Sequence, residues 1–74
     1  MRYEWLKCTL WIYIQICINN KKYSPKELSE MFGKTRRCIN YYIEIINITL
    51  TKLYIYEQIV FNFESRAYEK QSII

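Results

Sequence analysis

The only proline and the only glycine of this 74-residue chain, Pro25 and Gly33, bracket one short segment and fix where its backbone must turn. Ser24 precedes the proline and Glu27 follows Ser24 by three residues, the pattern of a helix N-cap, a capping box and a proline at the first helical position. The helix so started runs to about Phe32, with Leu28, Met31 and Phe32 turned inward. Gly33 can adopt the positive φ that ends a helix and admits a sharp turn. Thr35 has the character of the next N-cap, and Ile39, Tyr42, Ile43 and Ile46 then repeat at i, i+3, i+4 and i+7. Residues 24–48 therefore read as two helices joined by a tight turn.

The N-terminal region is less decisive. Ile12, Ile14, Ile16 and Ile18 alternate with Tyr13, Gln15 and Cys17, which has the period of a strand. The same stretch also places Leu6, Leu10, Tyr13, Ile14 and Cys17 on one side of a helix. A run of this length without Gly or Pro favours a helix over about residues 2–18. Trp5, Ile12 and Ile16 form a second apolar stripe on that helix, about 100° from the first. A second stripe on so small a domain is expected either to make a dimer contact or to be covered by the rest of the monomer, and the dimer contact is the reading adopted.

After Ile48 the pattern changes. Tyr54, Ile55, Tyr56, Ile59, Val60, Phe61 and Phe63 give a β-rich composition, alternating from Ile59 onward. A polar break at residues 64–67 is followed by a segment that can return as a second strand, so residues 53–74 are expected to form a hairpin. Tyr54, Tyr56, Phe61 and Phe63 are expected to build this sheet and pack it on the helices. The order is three helices and a hairpin, a mainly α chain in a single domain over residues 1–74.

Composition excludes several classes of function. The chain has no His and no Asp, and no glycine-rich loop, so general-base catalysis and nucleotide binding through such a loop lack their residues, and no enzyme or small-molecule substrate is expected. Cys8, Cys17 and Cys38 form no CxxC pair and have no His to complete a zinc site, so neither metal nor cofactor is expected. An odd cysteine count favours a reducing compartment. The apolar run over residues 10–18 is short for a bilayer and contains Gln15, and Glu4 and Trp5 are foreign to a signal n-region. The expectation is a soluble cytoplasmic protein without membrane contact. A net charge of +4 is a modest basic excess, compatible with a polyanionic partner.

The residues from Ser24 to Ile46 resemble the winged helix-turn-helix proteins, a fold shared by many bacterial, plasmid and phage regulators. With Gly33 as the turn glycine, the small residue four places earlier is Ser29. The apolar positions are filled by Leu28 and Phe32 before the turn and Ile39 and Tyr42 after it. Lys34 stands where an apolar residue usually follows the glycine, and its aliphatic stem can cover that position while the ammonium stays hydrated. The resemblance implies a three-helix domain with a small β-hairpin wing, whose second helix-turn-helix helix enters the DNA major groove.

The residue chemistry supports the same expectation. With Ile39, Tyr42, Ile43 and Ile46 inward, the third helix exposes Arg37, Asn40, Tyr41 and Glu44, flanked by Arg36. Arginine can pair bidentately with guanine and asparagine with adenine. Tyr41 can reach a thymine methyl or a phosphate, while Lys34 and Thr35 lie by the N–H groups of the helix start, a natural phosphate seat. Glu44 opposes phosphate unless it accepts from cytosine or steadies an arginine. Arg66, at the hairpin turn, is a candidate for backbone or minor-groove contact, with Lys70, Lys21 and Lys22 as weaker ones. Cys38 reads as a partly packed thiol.

The expected function is thus sequence-specific binding of double-stranded DNA by a homodimeric regulator or a plasmid or phage maintenance or transfer factor. The alternative is a protein–protein module on the same scaffold, with Trp5, Trp11, Ile12 and Ile16 as its surface.

Overall fold

The two capping signals and the glycine turn act where the sequence places them. In the structure, a computed structural model that describes residues 3–73, α2 spans Pro25–Phe32 and α3 spans Arg36–Lys52. Ser24 Oγ accepts from Glu27 N at 3.1 Å and Glu27 Oε1 accepts from Ser24 N at 2.9 Å, completing the capping box. Gly33 ends α2 at φ 62°, in the left-handed region. Ser29 ties the turn twice: its carbonyl accepts from Lys34 N at 3.1 Å, and its hydroxyl donates to the Lys34 carbonyl. Helix α3 continues past the expected end near residue 48. Leu50 anchors this extra turn in the core, and Thr49 and Thr51 return their hydroxyls to the carbonyls of Ile45 and Asn47.

Helix α1 spans Glu4–Tyr13 and continues into a π-helical turn over Ile14–Ile18. The helical choice over the strand is correct, but the inward face is the expected one only in part: Cys17 is buried and Tyr13 packs on the core, as expected of them. Ile12 and Ile16 are 0% exposed and sit at the centre of the core, whereas Leu6, Leu10 and Ile14 face out. The dimer contact assigned to Ile12 and Ile16 is therefore wrong. Trp5, half-exposed, belongs to a different surface described below. A helix apolar on two sides offers no contrast for periodicity to read, so the choice falls to what packs on it. The π-turn supports that choice. Cys8, Ile12 and Ile16 are spaced by four, which drifts around an α-helix with 3.6 residues per turn, and the wider turn holds the last of them in line. Burying each such side chain contributes about 1.5–3 kcal/mol.

Leu28 and Ile39 complete the fully buried centre, with Tyr42, Ile43, Ile46 and Leu50 along α3. Met31 is exposed, contrary to expectation, because α2 is short and only Leu28 and Phe32 reach neighbours. Phe32 meets Trp11 edge-on at 5.4 Å, and Trp11 also packs on Tyr23 at 5.3 Å. Trp11 is consequently an internal support and not a docking surface.

Strands β1 (Glu57–Asn62) and β2 (Ala67–Ser72) pair antiparallel, Glu57 opposite Ser72 and Asn62 opposite Ala67. Tyr23 extends the pairing by one residue: Tyr68 N donates to the Tyr23 carbonyl at 2.8 Å, on the free edge of β2. On the other edge Asn47 of α3 replaces a strand, its amide donating to the Ile59 carbonyl at 3.0 Å and accepting from Ile59 N at 2.8 Å. Ile59, Ala67 and Tyr68 are buried beneath. Of the four aromatics expected in the sheet, Phe61 alone packs, against Tyr68 and Phe63; Tyr54, Tyr56 and Phe63 are exposed. Tyr54 and Tyr56 precede β1 and Phe63 lies in the turn; the Tyr56 carbonyl still accepts from Ile73 N at 3.1 Å, but its side chain is not covered. Arg2 and Ile74, expected at the ends of helix one and the hairpin, lie outside the described residues. The whole is three helices with a two-stranded hairpin, mostly helical, and compatible with a helix-turn-helix followed by a wing.

Candidate nucleic-acid interface

Two surfaces carry the arginines that form no ion pair with any described residue; Lys7, Lys21, Lys26 and Lys52 form none either. The first is the start of α3. The inward residues Ile39, Tyr42, Ile43 and Ile46 are all buried, which leaves Arg36, Arg37, Asn40, Tyr41 and Glu44 exposed on the opposite side. Thr35 Oγ1 accepts from Cys38 N at 3.1 Å, so its own O–H remains free to donate. The N–H groups of Arg36 and Arg37, in the first turn, have no intrahelical acceptor. Beneath this face the Tyr42 hydroxyl is hydrogen-bonded to the Cys38 side chain, and that bond together with burial pushes the phenol up to about 12. The Tyr42 phenol beneath the arginines therefore stays protonated at ordinary pH.

Ion pairing sorts the candidates. Lys34 Nζ lies 3.3 Å from Glu4 of α1, so its charge is shared within the protein. Lys22 pairs with Glu69 at 3.3 Å, and Lys70 with Glu57 at 3.6 Å. The hydrogen bond from Asn62, then that from Lys22, hold the Glu69 carboxyl below its usual range. Arg36, Arg37 and Arg66 form no ion pair with any described residue. Glu44 has none either, so it does not steady Arg37.

The second surface is the hairpin turn. Asn62 Oδ1 accepts from Glu64 N at 2.8 Å and shapes the loop, and Arg66 closes it at φ 56°. Contacts from the hairpin fall on the C-terminal part of α3: Ile55 N donates to the Leu50 carbonyl at 2.9 Å, Gln58 reaches Thr51, and Ile59 is held by Asn47. No described contact joins the two surfaces.

Asn47 and Ser29 were not singled out for the work they do. The signal for Asn47 was a polar residue interrupting the apolar run Ile45, Ile46 and Ile48; the signal for Ser29 was its size alone. Among the described residues no three His, Cys, Asp or Glu side chains gather as a metal site, and no helix is long and apolar enough to cross a membrane. Burial raises the thiols of Cys8 and Cys17, the latter to about 11, which disfavours thiolate chemistry at either. No protein-family model matches the chain, and no curated protein or solved structure matches it.

Proposed function

We propose that this chain is a winged helix-turn-helix protein that binds double-stranded DNA sequence-specifically, as a small transcriptional regulator or a plasmid or phage DNA-maintenance or transfer factor. It is a binding protein and not an enzyme. The observation that carries this reading is the exposed start of α3, where Arg36, Arg37, Asn40 and Tyr41 stand unpaired over a buried apolar face. Donors of this length at the N-terminal turns of a helix match the edge pattern of the major groove. Arg37 is assigned to guanine and Asn40 to adenine. Thr35, Arg36 and the first N–H groups are assigned to phosphate, and Lys34 adds charge once Glu4 releases it.

Arg66 supports the reading from the wing. A residue other than glycine at positive φ carries a conformational cost of about 1–2 kcal/mol, and an arginine stands there although it forms no ion pair with any described residue. An arginine projecting from a hairpin turn suits a narrow A·T-rich minor groove.

Fluorescence anisotropy against a library of duplex fragments, repeated at several salt concentrations, tests the proposal. Affinity is expected to fall steeply with salt and to favour particular fragments. Arg37→Ala is expected to relax that preference at a cost of about 1–3 kcal/mol, and Arg66→Ala to weaken binding more uniformly. Equal binding to every fragment, or none at low salt, refutes it.

A further inference from the structure

An apolar groove of about 440 Å³ runs between α1 and the C-terminal half of α3, and no described residue fills it. Trp5, Leu6 and Leu10 form one wall and Leu53 contributes to the other; all four are between 40% and 62% exposed. Ile14, one turn beyond Leu10, and Tyr54, next to Leu53, extend the apolar surface and are also exposed. Leu6, Leu10 and Ile14 belong to the stripe that the sequence pattern turned toward the monomer core, and Trp5 to the stripe it gave to a dimer contact. We propose that it is the interface through which two copies of this chain associate about a two-fold axis.

Three observations select a second copy as the occupant. Taking the aromatic range of about 150–250 Å² as an upper bound for each of these six side chains, the exposed parts come to roughly 500–800 Å², which approaches the roughly 800 Å² per partner of a standard stable interface at its upper end. No charged residue lines the groove, so two chains each bearing +4 can meet there without opposing cations. An isologous contact also needs one patch that supplies both ridge and groove, and the α1 wall beside the α3 hollow does so.

A further observation is the placement of the groove on α3, and it rests on the DNA-binding reading. Thr49, on the groove lining, lies 12 residues beyond Arg37, about 18 Å at 1.5 Å per residue. A two-fold axis through the groove can therefore separate the two arginine-bearing ends by up to about 36 Å, the 34–36 Å between successive half-sites on one face of duplex DNA.

Sedimentation equilibrium from about 1 to about 100 μM, a range that brackets a micromolar Kd, tests the proposal on the full chain. The expected mass is twice the 9.2 kDa of the monomer. Leu10→Lys is expected to return it to the monomer with an unchanged far-UV spectrum, since the altered side chain is already half in solvent. If that variant does not fold, Leu53→Lys on the opposite wall decides the matter in the same way. A wild-type monomer throughout the range overturns the proposal, as does a dimer that survives in both variants. So does a monomer whose thermal midpoint rises on adding a long-chain fatty acid, which assigns the groove to a small apolar ligand. Failure of the DNA reading is distinguishable, because it shows as absent or salt-independent duplex binding by the wild-type protein and leaves the sedimentation result unchanged.

Discussion

Replacing Asn47 is the sharpest test of how the hairpin is held to the helices. Its side-chain amide satisfies both backbone groups of Ile59, at 2.8 Å and 3.0 Å, and Ile59 is 2% exposed. Asn47→Ala leaves a buried N–H and a buried carbonyl without partners, at about 1–3 kcal/mol each. Asn47 is itself half-buried, so water recovers part of the loss, and the expected cost is about 2–4 kcal/mol. A domain of this length has about 4–11 kcal/mol of total stability, so the urea midpoint should fall by about 2–4 M for a chain of m near 1 kcal/mol/M.

Asn47→Asp separates the hydrogen bonds from simple packing. At pH 7 its carboxylate still accepts from Ile59 N but turns a second lone pair on the Ile59 carbonyl. Protonated, it can donate there and reproduce the amide. The folded state favours the protonated acid, so the carboxyl pKa is raised on folding. Stability relative to wild type is then fully restored below the unfolded value, near pH 3.9, and lost as pH rises through the folded one. Urea titrations followed by circular dichroism at about pH 4 and about pH 7 measure both differences. An alanine variant within about 0.5 kcal/mol of wild type, or an aspartate deficit that does not shrink at low pH, refutes the reasoning.

Other perturbations have equally direct outcomes. Gly33→Ala is expected to cost about 1–2 kcal/mol by thermal or urea unfolding; an added Cβ meets nothing within 4 Å, so the cost is conformational, and a loss well above this range contradicts that account. Arg66→Gly relieves the positive φ and should raise stability by about 1 kcal/mol while lowering affinity for duplex DNA; a loss of stability refutes the strain argument. Cys17 rises on folding from 9.0 to about 11, so the native state keeps a proton that the unfolded chain releases. Its contribution, about 2–3 kcal/mol, is present below pH 9 and disappears as pH rises to 11; Cys17→Ala should flatten the stability slope in that window. Native-state alkylation should modify Cys38 first, because Cys8 and Cys17 are buried, and mass spectrometry after brief iodoacetamide treatment reads the order.

The sequence by itself determined every feature that depends on local backbone chemistry. Ser24, Pro25, Glu27, Gly33 and Thr35 act through groups within a few residues, so α2, the turn and the start of α3 could be placed before any packing was known. The exposed face of α3 followed, because a single apolar stripe on an amphipathic helix has only one orientation toward a core. Tertiary structure alone decided the rest. Two apolar stripes compete on α1, and only the positions of α3 and the hairpin select Ile12 and Ile16 for burial and leave Leu6 and Leu10 on the groove. Asn47 gains its role from a backbone 12 residues away, and Lys34 loses its freedom to a carboxylate on α1. Local signals fix where a chain turns. Which apolar surface is buried depends on partners distant in sequence, and no period of three or four residues encodes them.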